Sequence, residues 1–516
     1  LYTIDGVEGL TVEYVRSYDD ENNTALVGGS AEFTLGDENA DVTEINSVTF
    51  DGREIKGFTF ENGILAITEN FTVSDIGAKT FVLKGKVGYK AVTVYLGATI
   101  MLPGEEVLLE GNREIVLSDA SDYAVDLGEY AASTVISSTF AGENATFADG
   151  KLTITDAFKA NKQKHGMQTL KVTVEKGGKY YVLTANVLVV TKTISTIDEL
   201  NAAMKGEGDE YAIYGYYKLV ADLGAANYDG INNGSSSKNW ANANGEYGFR
   251  GTFDGNNKSI SAIIYNNGIF GIVGKGAYIK NLTVNSYDYS NGRTILARTI
   301  TEATIENVTI NVISGSSDSY YAEGGVITAL LSHSSKYINV KIKSSSDLDT
   351  LFGFSYWNYN PAKHNTFENC TVEARSIGGI ICITTKANMA EPIVSIAGVE
   401  GLNVTLNKDA VAADNMTVGQ AAVIELPDLT EITSIVLDNE EFTAYSFENG
   451  VLTINADAFT AFQIGVKKFG VTAKNEQGLT VVFEITMTVE LVADPVTLEG
   501  NREIVLSDAS DYAVDL

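Results

Sequence analysis

Phe60-Glu61-Asn62-Gly63-Ile64-Leu65-Ala66-Ile67 is the stretch on which the reading of this chain turns. Asn-Gly stands between short runs in which apolar and polar residues alternate. A two-residue type I′ hairpin needs positive φ at both central positions, which Asn and Gly tolerate best. The phrase returns as Phe147-Ala148-Asp149-Gly150-Lys151-Leu152-Thr153-Ile154 and as Phe447-Glu448-Asn449-Gly450-Val451-Leu452-Thr453-Ile454. Period-two runs such as Thr80–Val87 and Gln168–Val174 lie around the copies. Turn signals every eight to twelve residues or so suit an antiparallel sandwich of about ninety residues. Three sandwiches are therefore expected, over 1–103, 104–192 and 392–493.

A longer period overlies this one. Leu109 to Leu127, LEGNREIVLSDASDYAVDL, recurs without change as Leu498 to Leu516, an offset of 389 residues. Ile4-Asp5-Gly6-Val7-Glu8-Gly9-Leu10 recurs in diverged form as Ile396-Ala397-Gly398-Val399-Glu400-Gly401-Leu402, an offset of 392. The unit is thus about 390 residues long. Sandwiches 1–103 and 392–493 are copies of one type, A; 104–192 is type B; and 494–516 is the opening of a second B sandwich. That last segment is too short to bury a core alone. Its residues Leu498, Glu499, Asn501, Ile504, Val505, Leu506, Tyr512 and Val514 form a candidate assembly segment. Either they begin the next sandwich of a continuous array, or they supply a strand to the B sandwich of another molecule.

Between the B sandwich and the second A sandwich the periodicity changes. Ser195 and Thr196 precede Ile197-Asp198-Glu199-Leu200-Asn201-Ala202-Ala203-Met204, a capping-box arrangement that opens one short amphipathic helix. Four phrases then share a pattern: Ile279-Lys280-Asn281-Leu282-Thr283-Val284, Ile305-Glu306-Asn307-Val308-Thr309-Ile310, Ile338-Asn339-Val340-Lys341-Ile342 and Phe367-Glu368-Asn369-Cys370-Thr371-Val372. Their asparagines are 26, 32 and 30 residues apart, the length of one coil of a parallel β-helix. An Asn recurring at a strand entry fits a left-handed residue whose amide bonds the coils above and below. Gly268-Ile269-Phe270-Gly271, Gly324-Gly325-Val326-Ile327, Leu351-Phe352-Gly353-Phe354 and Gly378-Gly379-Ile380-Ile381 supply a second strand in phase. The helix before Gly206 is expected to lie over the open end as a lid, with the sandwiches covering the far end. The fold class is all-β: Ig-like β-sandwiches in series with a right-handed parallel β-helix (193–391) carrying one short capping helix.

The three sandwich segments resemble bacterial immunoglobulin-like domains of large, tandem-repeat surface proteins of the adhesin type. Together with Gly251-Thr252-Phe253-Asp254-Gly255-Asn256-Asn257-Lys258-Ser259-Ile260, the coil phrases resemble GLUG-like right-handed β-helix segments of bacterial surface proteins. Lys258 departs from that pattern, where a His is usual.

Composition narrows the function. Thirty-six Lys plus Arg against 67 Asp plus Glu leave a formal charge of −31, which repels nucleic acid and anionic lipid. No stretch of eighteen apolar residues could span a bilayer, so no membrane insertion is expected within these residues. The start, Leu1-Tyr2-Thr3-Ile4, has neither a basic n-region nor an apolar h-region, and export is inferred from the resemblance. Five prolines and scant linkers predict sandwiches that abut.

Chemistry-bearing residues are sparse. His165, His333 and His364 have no ligand-spaced partners, so no metal or catalytic histidine site is expected. Within 193–391 the acids Asp254, Asp288, Asp318, Asp347 and Asp349 do not recur at coil spacing, against a glycan-cleaving pair; they read as solvated turn carboxylates. Cys370 and Cys382 are either two buried thiols or one disulfide. Two aromatic, amide-rich loops, with Trp240 and Tyr247 in one and Tyr356, Trp357 and Tyr359 in the other, are candidate glycan-binding surfaces, or pack on the coil's flank. The acidic turns Asp19–Asn23 and Gly36–Asp41 are candidate Ca²⁺ ligands outside EF-hand spacing; otherwise no cofactor is expected. The functional expectation is a non-enzymatic, structural and adhesive tandem-repeat element, extracellular or at a bacterial cell surface. Its partners are other copies of the repeat, in series or by strand exchange, and candidate glycans or a host surface. The alternative is a glycan-binding or glycan-cleaving β-helix on sandwich spacers.

Overall fold

The structure, a computed structural model, describes residues 13–18, 23–35, 42–88, 90–207, 211–228, 230–231, 248–264, 267–287, 294–313, 325–352, 365–381 and 401–492. In the first A sandwich one sheet takes Glu13–Tyr18, Lys90–Met101, Gly77–Val87, Glu44–Phe50 and Arg53–Ile55 in that order. The facing sheet takes Ala31–Thr34, Ile64–Ile67 and Phe58–Glu61. Glu13–Tyr18 and Thr24–Leu26 run parallel to Lys90–Met101, and the other pairs are antiparallel. A parallel opening strand on an otherwise antiparallel pair of sheets in this order is an immunoglobulin-like sandwich. The B sandwich repeats it with Glu105–Val116 parallel to Lys179–Val190, and the second A sandwich with Leu402–Asn407 parallel to Thr480–Glu490.

The three hairpin phrases adopt the expected turn. Asn62 and Gly63 have φ of 52° and 77°, Asp149 and Gly150 52° and 71°, Asn449 and Gly450 52° and 77°. Inward residues fill each core with aromatics. Phe50 and Phe81 lie 4.8 Å apart at their centroids in the first A sandwich, and Phe442 and Phe469 5.2 Å apart in the second.

Between the sandwiches the chain forms stacked parallel coils. Thr252–Ile264, Tyr278–Ser286, Thr304–Val312, then Lys336–Ile338 with Lys341–Ser344, then Thr366–Glu368 with Cys370–Ala374, pair in parallel, each on the next. A second parallel sheet takes Ile272–Val273, Ala297–Thr301, Thr328–His333, Asp347–Phe352 and Ser376–Ile381. Columns of like side chains result: Ile260, Val284, Ile310, Ile342 and Val372 stack in register, each no more than 1% exposed.

The recurring asparagines sit inside the strand run and bend it, and are not at the strand entry as expected. Asn281, Asn307, Asn339 and Asn369 have φ of 53°, 53°, 52° and 51°. Strict alternation from Ile279 would bury residue 281, yet Leu282 and Val284 are the buried ones. The left-handed residue resets the phase, so both halves of the run face the core. The side chains form a ladder: Asn307 Nδ2 donates to Asn281 Oδ1 (3.1 Å) and Asn339 Nδ2 to Asn307 Oδ1 (3.0 Å). Asn307→Ala, which loses both the left-handed preference and two amide bonds, should cost about 2 kcal/mol; Asn307→Gly, which keeps the backbone preference, about 1. Equilibrium urea unfolding of the two variants checks the order.

The expected helix, Ile197–Lys205, is present. Thr196 caps it, with Glu199 Oε2 accepting from the Ser195 and Thr196 N–H groups, and Gly206 ends it at φ 68°. Leu200, Ala203 and Met204 are buried on the first coil with Tyr217 and Leu219. The other end of the coil is closed by a strand. Cys370–Ala374 pairs in parallel with Leu402–Asn407 of the second A sandwich, so Val404 extends the Ile342–Val372 column. One apolar core accordingly runs from Ile194 to Val489 across the expected 391/392 boundary.

Candidate functional site

The first copy of the repeated segment defines what its residues do. Glu105–Val116 lies along Lys179–Val190, and its register breaks between Leu109 and Arg113, where Gly111 takes φ 89°. Arg113 pins this bulge: its guanidinium donates to the carbonyls of Gly111 (3.0 Å) and Asp126 (2.7 Å). The Tyr123 hydroxyl donates to Ala120 O (2.7 Å) and accepts from the Ser118 N–H (3.0 Å), bracing the next turn. Ile115, Val125 and Leu127 enter the core. The segment is thus a self-braced opening strand and corner of a B sandwich. The assembly residues Leu498, Glu499, Asn501, Ile504, Val505, Leu506, Tyr512 and Val514 lie outside the described residues; their identical counterparts occupy these places in 109–127.

The B sandwich meets the coil at Thr191. Its Oγ1 accepts from the Tyr216 N–H (2.8 Å) and faces His165 Nδ1 at 2.8 Å, while His165 Nε2 lies 3.3 Å from Phe158 O. These contacts select one neutral tautomer: Nε2–H donates to Phe158, and Nδ1 accepts the threonine proton. Burial lowers the His165 pKa to about 4. A native pKa below the unfolded value means that stability is complete above about pH 6.5 and is lost as pH falls toward 4. The loss should reach about 2 kcal/mol, seen as a lower melting temperature at pH 4.5 than at pH 7. His165→Gln should reduce that difference.

At the head of the asparagine ladder stands Asp254, 8% exposed. Oδ2 accepts from the Tyr216 hydroxyl (2.5 Å) and lies 3.6 Å from Lys280 Nζ; Oδ1 accepts from the Asn256 N–H (2.9 Å) and Asn281 Nδ2 (3.1 Å). Burial by itself would raise the carboxyl pKa, but these donors outweigh it and hold the group below the usual carboxylate range. Burial and the facing carboxylate push Tyr216 up. The expectation that Asp254 is a solvated turn carboxylate is therefore corrected: in the Thr252-Phe253-Asp254-Gly255-Asn256 phrase it is a buried anchor, because the left-handed Asn256 turns its own N–H onto it and the next coil adds the Asn281 amide. Lys258 is outside this cluster.

The other candidates are dispersed. Asp347 is half-buried and tied to Arg375 Nη2 (2.6 Å), which lowers its pKa to about 2. Cys370 is a buried thiol donating to Tyr337 O (3.3 Å). His333 is buried in the second sheet. Trp240, Tyr247, Tyr356, Trp357 and Tyr359, with Cys382, His364, Asp288, Asp318, the first acidic turn up to Asn22 and all of the second, lie outside the described residues. Among the described residues no cluster of His, Cys, Asp or Glu is placed to hold a metal ion, and no helix is long and apolar enough to cross a membrane.

Two features of this region went unread in the sequence. Thr294-Ile295-Leu296 forms a rung between Ile269-Phe270 and Val326-Ile327, with Ile269 N–H donating to Ile295 O and Ile295 N–H to Val326 O (both 3.0 Å). Gly401 occupies the ladder position after Asn369; its 32-residue distance from Asn369 was the available signal.

No protein-family model matches the chain, and the curated proteins hold no match. Among solved structures, SGBP-B of the Bacteroides ovatus mixed-linkage glucan utilization locus, in complex with a mixed-linkage heptasaccharide, is 14% identical. That match covers 34% of this chain and 46% of that one, with a TM-score of 0.14. The N-terminal Ig1-2 module of the Drosophila receptor protein tyrosine phosphatase DLAR is 16% identical over 33% of this chain and 94% of that one, TM-score 0.13. An I-band fragment of titin is 8% identical over 92% and 96%, TM-score 0.13. The chain spans less than half of the glucan-locus protein. With TM-scores this low, the immunoglobulin-like description stands on strand order alone.

Proposed function

We propose that this chain is a section of a structural, adhesive tandem-repeat protein of a bacterial surface or extracellular filament. In this reading its coils are right-handed and GLUG-like, and its work is display or attachment without turnover. One observation carries the reading: the parallel sheet of the coil continues into the opening strand of the following A sandwich. Modules joined by backbone pairing and a shared core resist bending about the joint, as a load-bearing rod requires and a hinged enzyme does not. The capped first coil and the −31 charge support it, since the first opposes edge-to-edge aggregation and the second opposes binding to nucleic acid. Glycans contacted by the two aromatic loops are the proposed ligands. Small-angle scattering of residues 1–516 should give the skewed distance distribution of a rod, and reducing-end release from mixed polysaccharides should stay at background. A compact particle that cleaves glycan would refute the proposal.

A further inference from the structure

In the first A sandwich, Gly77–Val87 runs beyond the end of its neighbour Glu44–Phe50, whose last pairing is Phe50 with Phe81. The strand's first residues therefore present an open backbone edge, and such an edge needs a partner. The B sandwich provides it. Asn144, on the Glu143–Asn144 strand behind the Ala141-Gly142 turn, accepts from the Ala78 N–H through Oδ1 and donates from Nδ2 to Ala78 O (2.8 Å). Gly77 is buried beneath it, and a Cβ there would run into the Asn144 amide.

The second A sandwich builds the same edge. Gly465–Asn475 runs past Leu429–Leu437, whose last pairing is Leu437 with Phe469. Gly465 (φ 119°) matches Gly77 (φ 114°), each after a 3-10 turn with a capping box, Thr460/Gln463 and Thr72/Asp75. Here the edge is open among the described residues: none of them lies within 4 Å of a Cβ on Gly465, Val466 is 63% exposed and Ile464 46%. Gly77 pairs with Ile100 and Gly465 with Val489, and in both copies the LEGNREIVLSDASDYAVDL segment starts nine residues after that partner.

Presupposing the tandem-repeat reading, we propose that the Ile464-Gly465-Val466 edge is the docking surface for the next B-type sandwich, the one opened by 498–516. That sandwich seats the amide of its Asn144 equivalent on the Val466 N–H and C=O, reproducing the Ala78 clamp. Each A–B joint of the array is then latched twice, by the short covalent connection and by one carboxamide across the open edge.

The test lengthens the chain past Leu516 with the sequence of residues 128–192, which completes the second B sandwich, and follows amide hydrogen exchange. The Val466 amide should exchange about tenfold more slowly than in 1–516. Replacing the appended equivalent of Asn144 by Ala should restore the faster rate. An unchanged rate at Val466, with the appended copy of Gly166–Lys176 protected, overturns the proposal. In 1–516 itself, Asn144→Ala should speed exchange at Ala78 about tenfold, and no change there overturns the clamp however the appended part folds. Images of the lengthened chain separate the two readings: a longer rod with an unchanged Val466 sinks the docking alone, and a compact particle sinks the array.

Discussion

Gly401→Ala should destabilise the coil and the second A sandwich together, by about 3 kcal/mol or more, and leave the first A sandwich unaffected. Gly401 has φ 85°, and a Cβ there would overlap the carbonyl of Phe367, a backbone atom that cannot swing aside. Two costs combine. The left-handed backbone is unfavourable for alanine by about 1–2 kcal/mol, and the overlap forces apart the strands carrying Cys370 and Leu402. The Cys370 N–H to Gly401 O bond (3.0 Å) is the first to go, followed by the register through Ala374 and Leu406. Hydrogen exchange should show lost protection over 370–374 and 402–407, with the amides of Gly77–Val87 unchanged. Normal protection at Cys370 in the variant would contradict a sheet shared between coil and sandwich.

Asp254→Ala should cost about 3–5 kcal/mol, the range for removing one partner of a buried charge pair. Its loss leaves the Tyr216 hydroxyl, the Asn256 N–H and the Asn281 amide short of an acceptor and Lys280 without its counter-charge. Asp254→Asn should cost less, since one acceptor oxygen remains. The pH dependence follows from the lowered pKa. The carboxylate's contribution is present above the unfolded value near 4 and disappears as pH falls through the lower native value. Denaturant midpoints of wild type and Asp254→Ala should therefore differ widely at pH 7, and the gap should narrow as pH falls through the lowered native value. A constant gap would show that the charge itself contributes nothing.

Much of the architecture was legible from short phrases because each carries a backbone requirement. Asn62-Gly63, Asp149-Gly150 and Asn449-Gly450 announced their hairpins through positive φ, and the asparagine spacing announced the coils. Thr196 and Glu199 announced the lid helix, since an orphaned helix terminus needs just those side chains. What escaped notice depended on tertiary context. The buried state of Asp254 is set by Tyr216, 38 residues earlier, and by Lys280 and Asn281, one coil later. Gly401 replaces an asparagine as the left-handed residue, so a search by side chain passes over it. The merging of coil and sandwich was hidden for the same reason: Leu402-Asn403-Val404 reads as a sandwich strand and as a coil strand at once. The histidine junction could not be anticipated from His165 alone, because its partners Phe158 and Thr191 come from a one-turn helix and from the end of a strand.

In the proposed stiff array each unit of about 390 residues adds a fixed length. The direct measurement is negative-stain imaging of chains with one unit and with two, across a concentration series. Straight rods are expected, whose length increases by one constant increment per unit, whether single or joined end to end. Compact particles, or second units folded back at variable angles on the first, would contradict it.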